Sequence, residues 1–392
     1  MKISYIYLIP TWKSICITIM SLSSLTTVAQ TDSTSHMLPD TSLQKKAPSK
    51  FDQFNKKAEH FFKIFPAPII TYSPEAGNIF GLAKNNIFEL SKKDTISKPS
   101  KLSEVVTFST KGRINFSVST ELIFKENKYM ILAYFNYRKQ PEYIFGIGND
   151  VTREGVEEVE AERIKFFATN LVRVKKSFYV GVPIDISSYF NVKTDSNSFL
   201  IKDKVSGLKG GFTFGTGLAA VYDNRLNRYN PTQGGLVMAV LVTHPEFLSE
   251  YEFTHFELDL RKYFNPWLKH VIALQATTNY NGGNTPFYEL SMMGGDKQMR
   301  GYYQGAYRDK VLVDAQFEYR APVWNIFGLV GWVGTGRVAD KYSNLTLDGW
   351  KLSYGAGLRI RVDTKHNTNL RLDFGFGPNG IKGTYFSFAE AF

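Results

Sequence analysis

Val311-Leu312-Val313-Asp314-Ala315-Gln316-Phe317-Glu318-Tyr319-Arg320 sets apolar against polar side chains at almost every step. Successive side chains of a strand point to opposite faces, so an extended ribbon here is oily on one side and charged on the other. The pattern returns at Ile114-Phe116-Val118-Thr120-Leu122-Phe124 against Asn115, Ser117, Ser119 and Glu121. It returns again at Leu352-Tyr354-Ala356-Leu358-Ile360 against Lys351, Ser353, Arg359 and Arg361, and at Leu370-Leu372-Phe374-Phe376 against Arg371 and Asp373. Period two holds from Pro66 to Phe392.

With 22 Tyr, 31 Phe and 31 Gly in 392 residues, the composition suits pleated surfaces and turns better than a helical bundle. Beyond the first 30 residues no segment approaches the roughly 20 apolar residues of a helical membrane span. Even 324–333 is broken by Asn325, Gly328 and Gly331. Any membrane crossing in the mature chain is therefore made by strands. Alternating segments of about nine residues or more, with aromatics near their ends and charge along one face, favour a transmembrane antiparallel β-barrel over a soluble sandwich.

The strands count to about sixteen, from 66–73 to 383–392, with the short piece at 286–291 assigned to the long loop before 309. An even count puts both chain ends on one side, the periplasm of an exported barrel. The connections 148–159, 194–209, 283–308 and 339–349 then fall outside. Among the inside turns 91–100 and 224–233 are unusually long.

Residues 1–29 place Lys2 and Lys13 ahead of a modestly apolar run, 14–25, and end on Thr27-Val28-Ala29, the pattern of a signal peptide cleaved after Ala29. Cleavage removes Cys16, the single cysteine, and so excludes disulfides and thiolate chemistry. It lowers the net charge from +11 to +9, because two lysines and no acid leave with it. A basic balance on an exported chain suits anionic lipid headgroups and gives no reason to expect nucleic acid. Residues 30–65 form a polar tether and a short amphipathic helix, with Phe51, Phe54, Ala58, Phe61 and Phe62 opposite Lys56, Lys57 and Lys63. The barrel then occupies 66–392.

Three segments go beyond a generic barrel. Gly294-Gly295-Asp296-Lys297-Gln298-Met299-Arg300-Gly301-Tyr302 stands before the twelfth strand; Asp223-Asn224-Arg225, with Pro231 and Gly234, follows the eighth; the chain ends on Thr384-Tyr385-Phe386-Ser387-Phe388-Ala389-Glu390-Ala391-Phe392. Together they resemble the bacterial surface antigen superfamily of outer-membrane assembly factors, the BamA and TamA type. The resemblance implies that the tip of the sixth outer loop enters the lumen, with Arg300 pairing to wall acids, Gly301 allowing the reversal and Tyr302 packing inside. It implies that Phe386, Phe388 and Phe392, sharing one face of the terminal strand, form an assembly signal. It also implies a weakly zipped seam between 66–73 and 384–392, where Pro66, Pro68 and Pro74 limit ladder hydrogen bonds.

Two departures qualify the resemblance. The family's thirteenth-strand acid falls on Gly334 within Trp332-Val333-Gly334-Thr335-Gly336, leaving Asp314, Glu318 or Asp373 as partners for Arg300, or else as members of a charge ladder with Arg320, Arg359, Arg361 and Arg371. The stretch before the barrel is also too short for the soluble POTRA repeats of client-handling members, as in the family's barrel-only class.

Enzymatic chemistry finds little support. The six histidines make no metal-ligand pair at helical spacing and no Gly-x-Ser-x-Gly elbow accompanies them. His255, Glu257, Asp259 and Arg261 share one face of the tenth strand, which reads as a structural ladder in preference to a catalytic dyad. The expectation is therefore a cofactor-free, non-enzymatic outer-membrane barrel. It would assist insertion, assembly or translocation of client proteins or lipids, with outer-membrane lipids and periplasmic or lipoprotein partners around it. The alternative is a passive or anion-selective pore.

Overall fold

A computed structural model describes residues 65–73, 77–91, 93–152, 156–364 and 366–392. The leader, the tether and the helix expected up to residue 65 lie outside these residues, apart from Phe65. Strands follow in chain order as β1 (Ala67–Ser73), β2 (Gly77–Phe88), β3 (Ser100–Ser109), β4 (Ile114–Ile123), β5 (Tyr129–Ile144), β6 (Glu157–Lys175), β7 (Phe178–Lys193), β8 (Gly211–Asp223) and β9 (Gly234–His244). They continue as β10 (Phe253–Phe264), β11 (Val271–Gly283), β12 (Ser291–Met293), β13 (Tyr307–Asp309), β14 (Val311–Trp324), β15 (Phe327–Ala339), β16 (Lys351–Asp363), β17 (Thr368–Gly377) and β18 (Ile381–Phe388).

Sixteen of these form one antiparallel sheet, each strand bonded to its neighbour in sequence, while β12 and β13 make a separate hairpin inside the long connection before β14. The sheet curls into a nearly closed barrel whose hydrogen-bonding order begins at β1 and ends at β18. These two are also the shortest barrel strands, with 7 and 8 residues.

The alternation read in the sequence decides which face is which. On β14, Phe317 is 39% exposed while Asp314 and Glu318 are 1% and 0% exposed. On β17, Phe374 is exposed and Arg371 and Asp373 are buried. An outer wall of Leu, Val and Phe around an interior of Arg, Asp and Glu reverses the plan of a soluble domain, and it costs nothing only where the outside is hydrocarbon.

Connections at the end where β1 begins and β18 stops, the terminus end, include the two-residue turn 325–326, where Asn325 adopts φ 52, a left-handed conformation that Asn tolerates. The longer terminus-end turn 224–233 folds inward, burying Arg225, Tyr229 and Pro231. At the opposite end, Ile144, Val159, Leu200, Phe287 and Tyr288 pack into an apolar cap built from loops and strand ends.

The terminal strand differs from expectation. β18 stops at Phe388, Ala389 takes φ 67, and the last residues turn into the barrel. Phe386 stays on the outer wall, but Phe392 is 3% exposed and packs with Tyr263, Ala273 and Ala391. The Arg320 side chain draws the tail inward by donating to the Phe392 carbonyl at 2.9 Å. Phe392 therefore does not share a lipid-facing strand with Phe386 and Phe388.

Candidate functional site

The connection between β11 and β14 descends into the lumen, and the β12–β13 hairpin is its stem. Below the stem, Met293, Met299 and Tyr302 pack with Leu312 and Val338 of the wall. This apolar footing fixes the height at which the tip meets the charged wall.

Arg300 is fully buried at that tip. Its Nη2 donates to Glu318 Oε2 at 2.6 Å and its Nη1 to Asp373 Oδ2 at 2.7 Å. The guanidinium carbon lies 3.7 Å from the centroid of the Trp332 ring, a stacked contact that a planar cation makes and a lysine does not. The Ser353 hydroxyl donates to the Arg300 carbonyl at 2.6 Å. Three of the contacting residues, Trp332, Ser353 and Asp373, come from β15, β16 and β17; Glu318 comes from β14.

Asp314 does not join them. Its carboxylate accepts from the Thr277 hydroxyl at 2.8 Å, on the β11 side of the same strand. Two positions further along is Gln316, which donates to the Lys297 carbonyl, and two more reach Glu318 at the level of Arg300. Gly334, where the family pattern has its acid, meets the Gln316 side chain instead.

The reversal at Gly301 has φ +113, and a Cβ there would come within 2.9 Å of the Phe376 backbone nitrogen. Only glycine satisfies both conditions. The wall answers in kind: a Cβ on Gly375 would lie 2.6 Å from the Arg300 carbonyl carbon, and one on Gly377 would lie 3.0 Å from the Tyr302 ring. Tyr302 donates its hydroxyl to the Leu352 carbonyl at 2.9 Å, and the Gly301 N–H donates to the Tyr385 hydroxyl oxygen at 2.8 Å.

Around Arg300 the charges compensate. Glu318 also accepts from Arg320 at 2.7 Å, and Asp373 also pairs with Arg359. Arg359 donates to Glu390 at 2.7 Å, and Arg371 donates to Asp296 of the loop at 2.8 Å. Four arginines thus face four carboxylates, as burial of charge requires. The loop arginine and the wall ladder are therefore one network. Burial alone would raise the Glu390 carboxyl, but Arg359 and Arg320 outweigh it and hold it below the ordinary carboxylate range.

The turn 224–233 closes the other side. Arg225 grips Asp223 with two parallel bonds of 2.9 Å, and Arg228 reaches Glu121 on β4 at 3.0 Å. Tyr229 donates to the Pro99 carbonyl at 2.8 Å, and the Pro231 carbonyl accepts from Arg320 at 3.3 Å. Gly234 adopts φ +94 against the Asn224 carbonyl, where a side chain would not fit. The Glu390 N–H donates to the Tyr229 carbonyl at 3.2 Å, so this turn and the carboxy-terminal tail meet beneath the network.

The tenth-strand column is a row of paired side chains. His255 faces the Asn281 amide oxygen at 2.9 Å and Glu257 at 3.9 Å, while Asp259 binds Arg261 and Gln275. Among the described residues, no group of three His, Cys, Asp or Glu is placed to hold a metal.

Residues 106–392 match the family model of the Omp85 superfamily domain. The chain belongs to the Omp85 superfamily. Solved structures agree on the fold. BamA from Haemophilus ducreyi lacking POTRA domains 1–3 is 13% identical with a TM-score of 0.50, covering 87% of this chain and 78% of that one. CdiB from Escherichia coli gives 10% and 0.51, covering 87% and 70%. CdiB from Acinetobacter baumannii gives 12% and 0.50 over 82% of this chain, which spans only 58% of that protein. No curated protein sequence matches. This Omp85-superfamily chain is an outer-membrane β-barrel.

Trp332, Ser353, Tyr385 and Glu390 were not singled out from sequence as site residues. Trp332, Ser353 and Tyr385 occupy positions whose strand parity points inward, and that signal was available. Glu390 carried none, because its position depends on the chain leaving the strand at Ala389.

Proposed function

We propose that this barrel assists insertion, assembly or translocation of proteins or lipids at the outer membrane, with clients engaging the seam between β1 and β18. Family membership and the barrel fold support an assembly or translocation role. The observation that carries the seam reading is the sheet's order: β1 and β18 are its two ends, the shortest strands in it, and among the described residues they pair only with β2 and β17. A strand edge with free N–H and C=O groups is a template for another strand. Pro68 within β1 donates no ladder bond and weakens any closure further.

The lumenal loop and the inward turn argue against an open anion channel, because the arginines around the loop tip, Arg300, Arg320, Arg359 and Arg371, are engaged by carboxylates. On this reading the termini face the periplasm, where client proteins and periplasmic or lipoprotein partners would approach. The test is reconstitution of the full chain in vesicles and measurement of how fast an unfolded outer-membrane barrel inserts. The protein accelerates insertion, and a disulfide engineered across β1 and β18 abolishes the gain until it is reduced. In planar bilayers the conductance is low and erratic. A large, steady, anion-selective conductance would replace this reading with the pore.

A further inference from the structure

Outside the lumen, at the terminus end, the β4–β5 connection and the β6–β7 hairpin bound a pocket of about 510 Å³. Its apolar lining is Tyr129, Val172 and Val174, all exposed on the outer wall. Its polar lining is Lys128, Arg173, Lys175 and Lys176. The backbone gathers these residues: Tyr129 pairs with Val172, the Arg173 N–H donates to the Lys128 carbonyl at 2.8 Å, and a register shift between Arg173 and Lys175 crowds the end of β6.

Arg173 pairs with the buried Tyr179 and so turns its side chain to the inner face, which leaves Lys128, Lys175 and Lys176 as the pocket's outer cations, and these repel one another unless an anion intervenes. Glu126 answers only Lys128, at 2.9 Å. Among the described residues Lys175 and Lys176 form no ion pair with a carboxylate. The aliphatic and tyrosine surface places the pocket where hydrocarbon ends, and long basic side chains at that level extend toward headgroups. The anion abundant at that depth is a lipid phosphodiester.

We propose that this pocket binds the headgroup of an anionic glycerophospholipid in the terminus-side leaflet, with an acyl chain lying over Val172 and Val174. The proposal needs the chain to be a membrane barrel but is independent of any client-assembly role. Wild-type protein is folded into phosphatidylcholine vesicles doped with phosphatidylglycerol, cardiolipin or phosphatidylethanolamine bearing a photoreactive acyl chain, and the labelled peptides are mapped. Phosphatidylglycerol and cardiolipin label the peptides around 129 and 172–180 above the rest of the wall, phosphatidylethanolamine does not, and added salt reduces the difference. The double variant Lys175→Gln, Lys176→Gln loses labelling roughly fivefold or more, whereas Lys310→Gln with Lys341→Gln, at the other end, leaves it unchanged. Heat-modifiable gel migration confirms folding, and the single variants Lys175→Gln and Lys176→Gln give partial losses should the double variant not fold. Equal labelling by phosphatidylethanolamine, labelling spread evenly around the barrel, or undiminished labelling of the folded variants would overturn the proposal.

Discussion

The hydroxyl oxygen of Tyr385 accepts the backbone N–H of Gly301 at 2.8 Å, joining the tip of the lumenal loop to the last strand of the sheet. Among the described residues β18 is bonded on one edge only, to β17. The loop contact therefore supplies support on the inner face that the missing neighbour does not supply at the edge.

Tyr385→Phe removes that acceptor and leaves the Gly301 N–H without it. The expected cost is about 1–2 kcal/mol, felt locally. Hydrogen exchange should quicken at β18 amides while β10 and β11 stay unchanged. Uniform protection across all strands would contradict the proposed support.

Arg300→Ala leaves two buried carboxylates, Glu318 and Asp373, one cation short, though Arg320 and Arg359 still touch them. A loss of about 3–5 kcal/mol is expected for breaking a buried network of this kind. The temperature at which the protein loses its folded gel mobility in detergent should fall. Arg300→Lys should recover only part, since an ammonium cannot bridge both acids while stacking on Trp332.

Gly301→Ala forces a side chain into a φ of +113 and against the Phe376 backbone, at a cost of roughly 1–3 kcal/mol. The tip should lift from the wall. Limited proteolysis within 294–305 and increased quenching of Trp332 fluorescence measure this, and Gly375→Ala should give the same phenotype from the opposite side of the contact.

Acid should loosen the tail. Glu390 is held below its ordinary value of 4.5 in the folded protein, so its contribution is fully present above that pH and fades as pH falls through the lower folded value. Stability measured between neutral and strongly acid pH should decline, and Glu390→Gln should flatten part of that decline while lowering stability at pH 7. A variant with an unaltered pH profile would show that the tail carboxylate contributes nothing.

Strand reading from sequence succeeded because each barrel strand exposes one face to a single uniform environment. Val313, Ala315 and Phe317 look outward, and Asp314, Gln316 and Glu318 look inward, with no third option for any of them. The site was less legible. Asp314, Glu318 and Asp373 all have inward parity, and parity carries no height: only the register of β11, β14 and β17 sets two of them at Arg300 and the third beside Thr277. The end of β18 was misjudged because Phe392 continues the alternation on paper, while in three dimensions Arg320 and Tyr263 offer the tail a better-satisfied position inside.

By itself, the sequence determined the barrel, its sixteen-strand count, which face meets lipid, and the loop that carries Arg-Gly-Tyr, because these follow from side-chain alternation and from turn chemistry within a few residues. Tertiary structure alone decided which acids meet Arg300, that Trp332 stacks on it, that Tyr385 receives Gly301, and that the chain ends inside the lumen. Those contacts join residues 18 to 84 positions apart, and such pairings are settled by strand register and by the need to neutralise every buried charge at once.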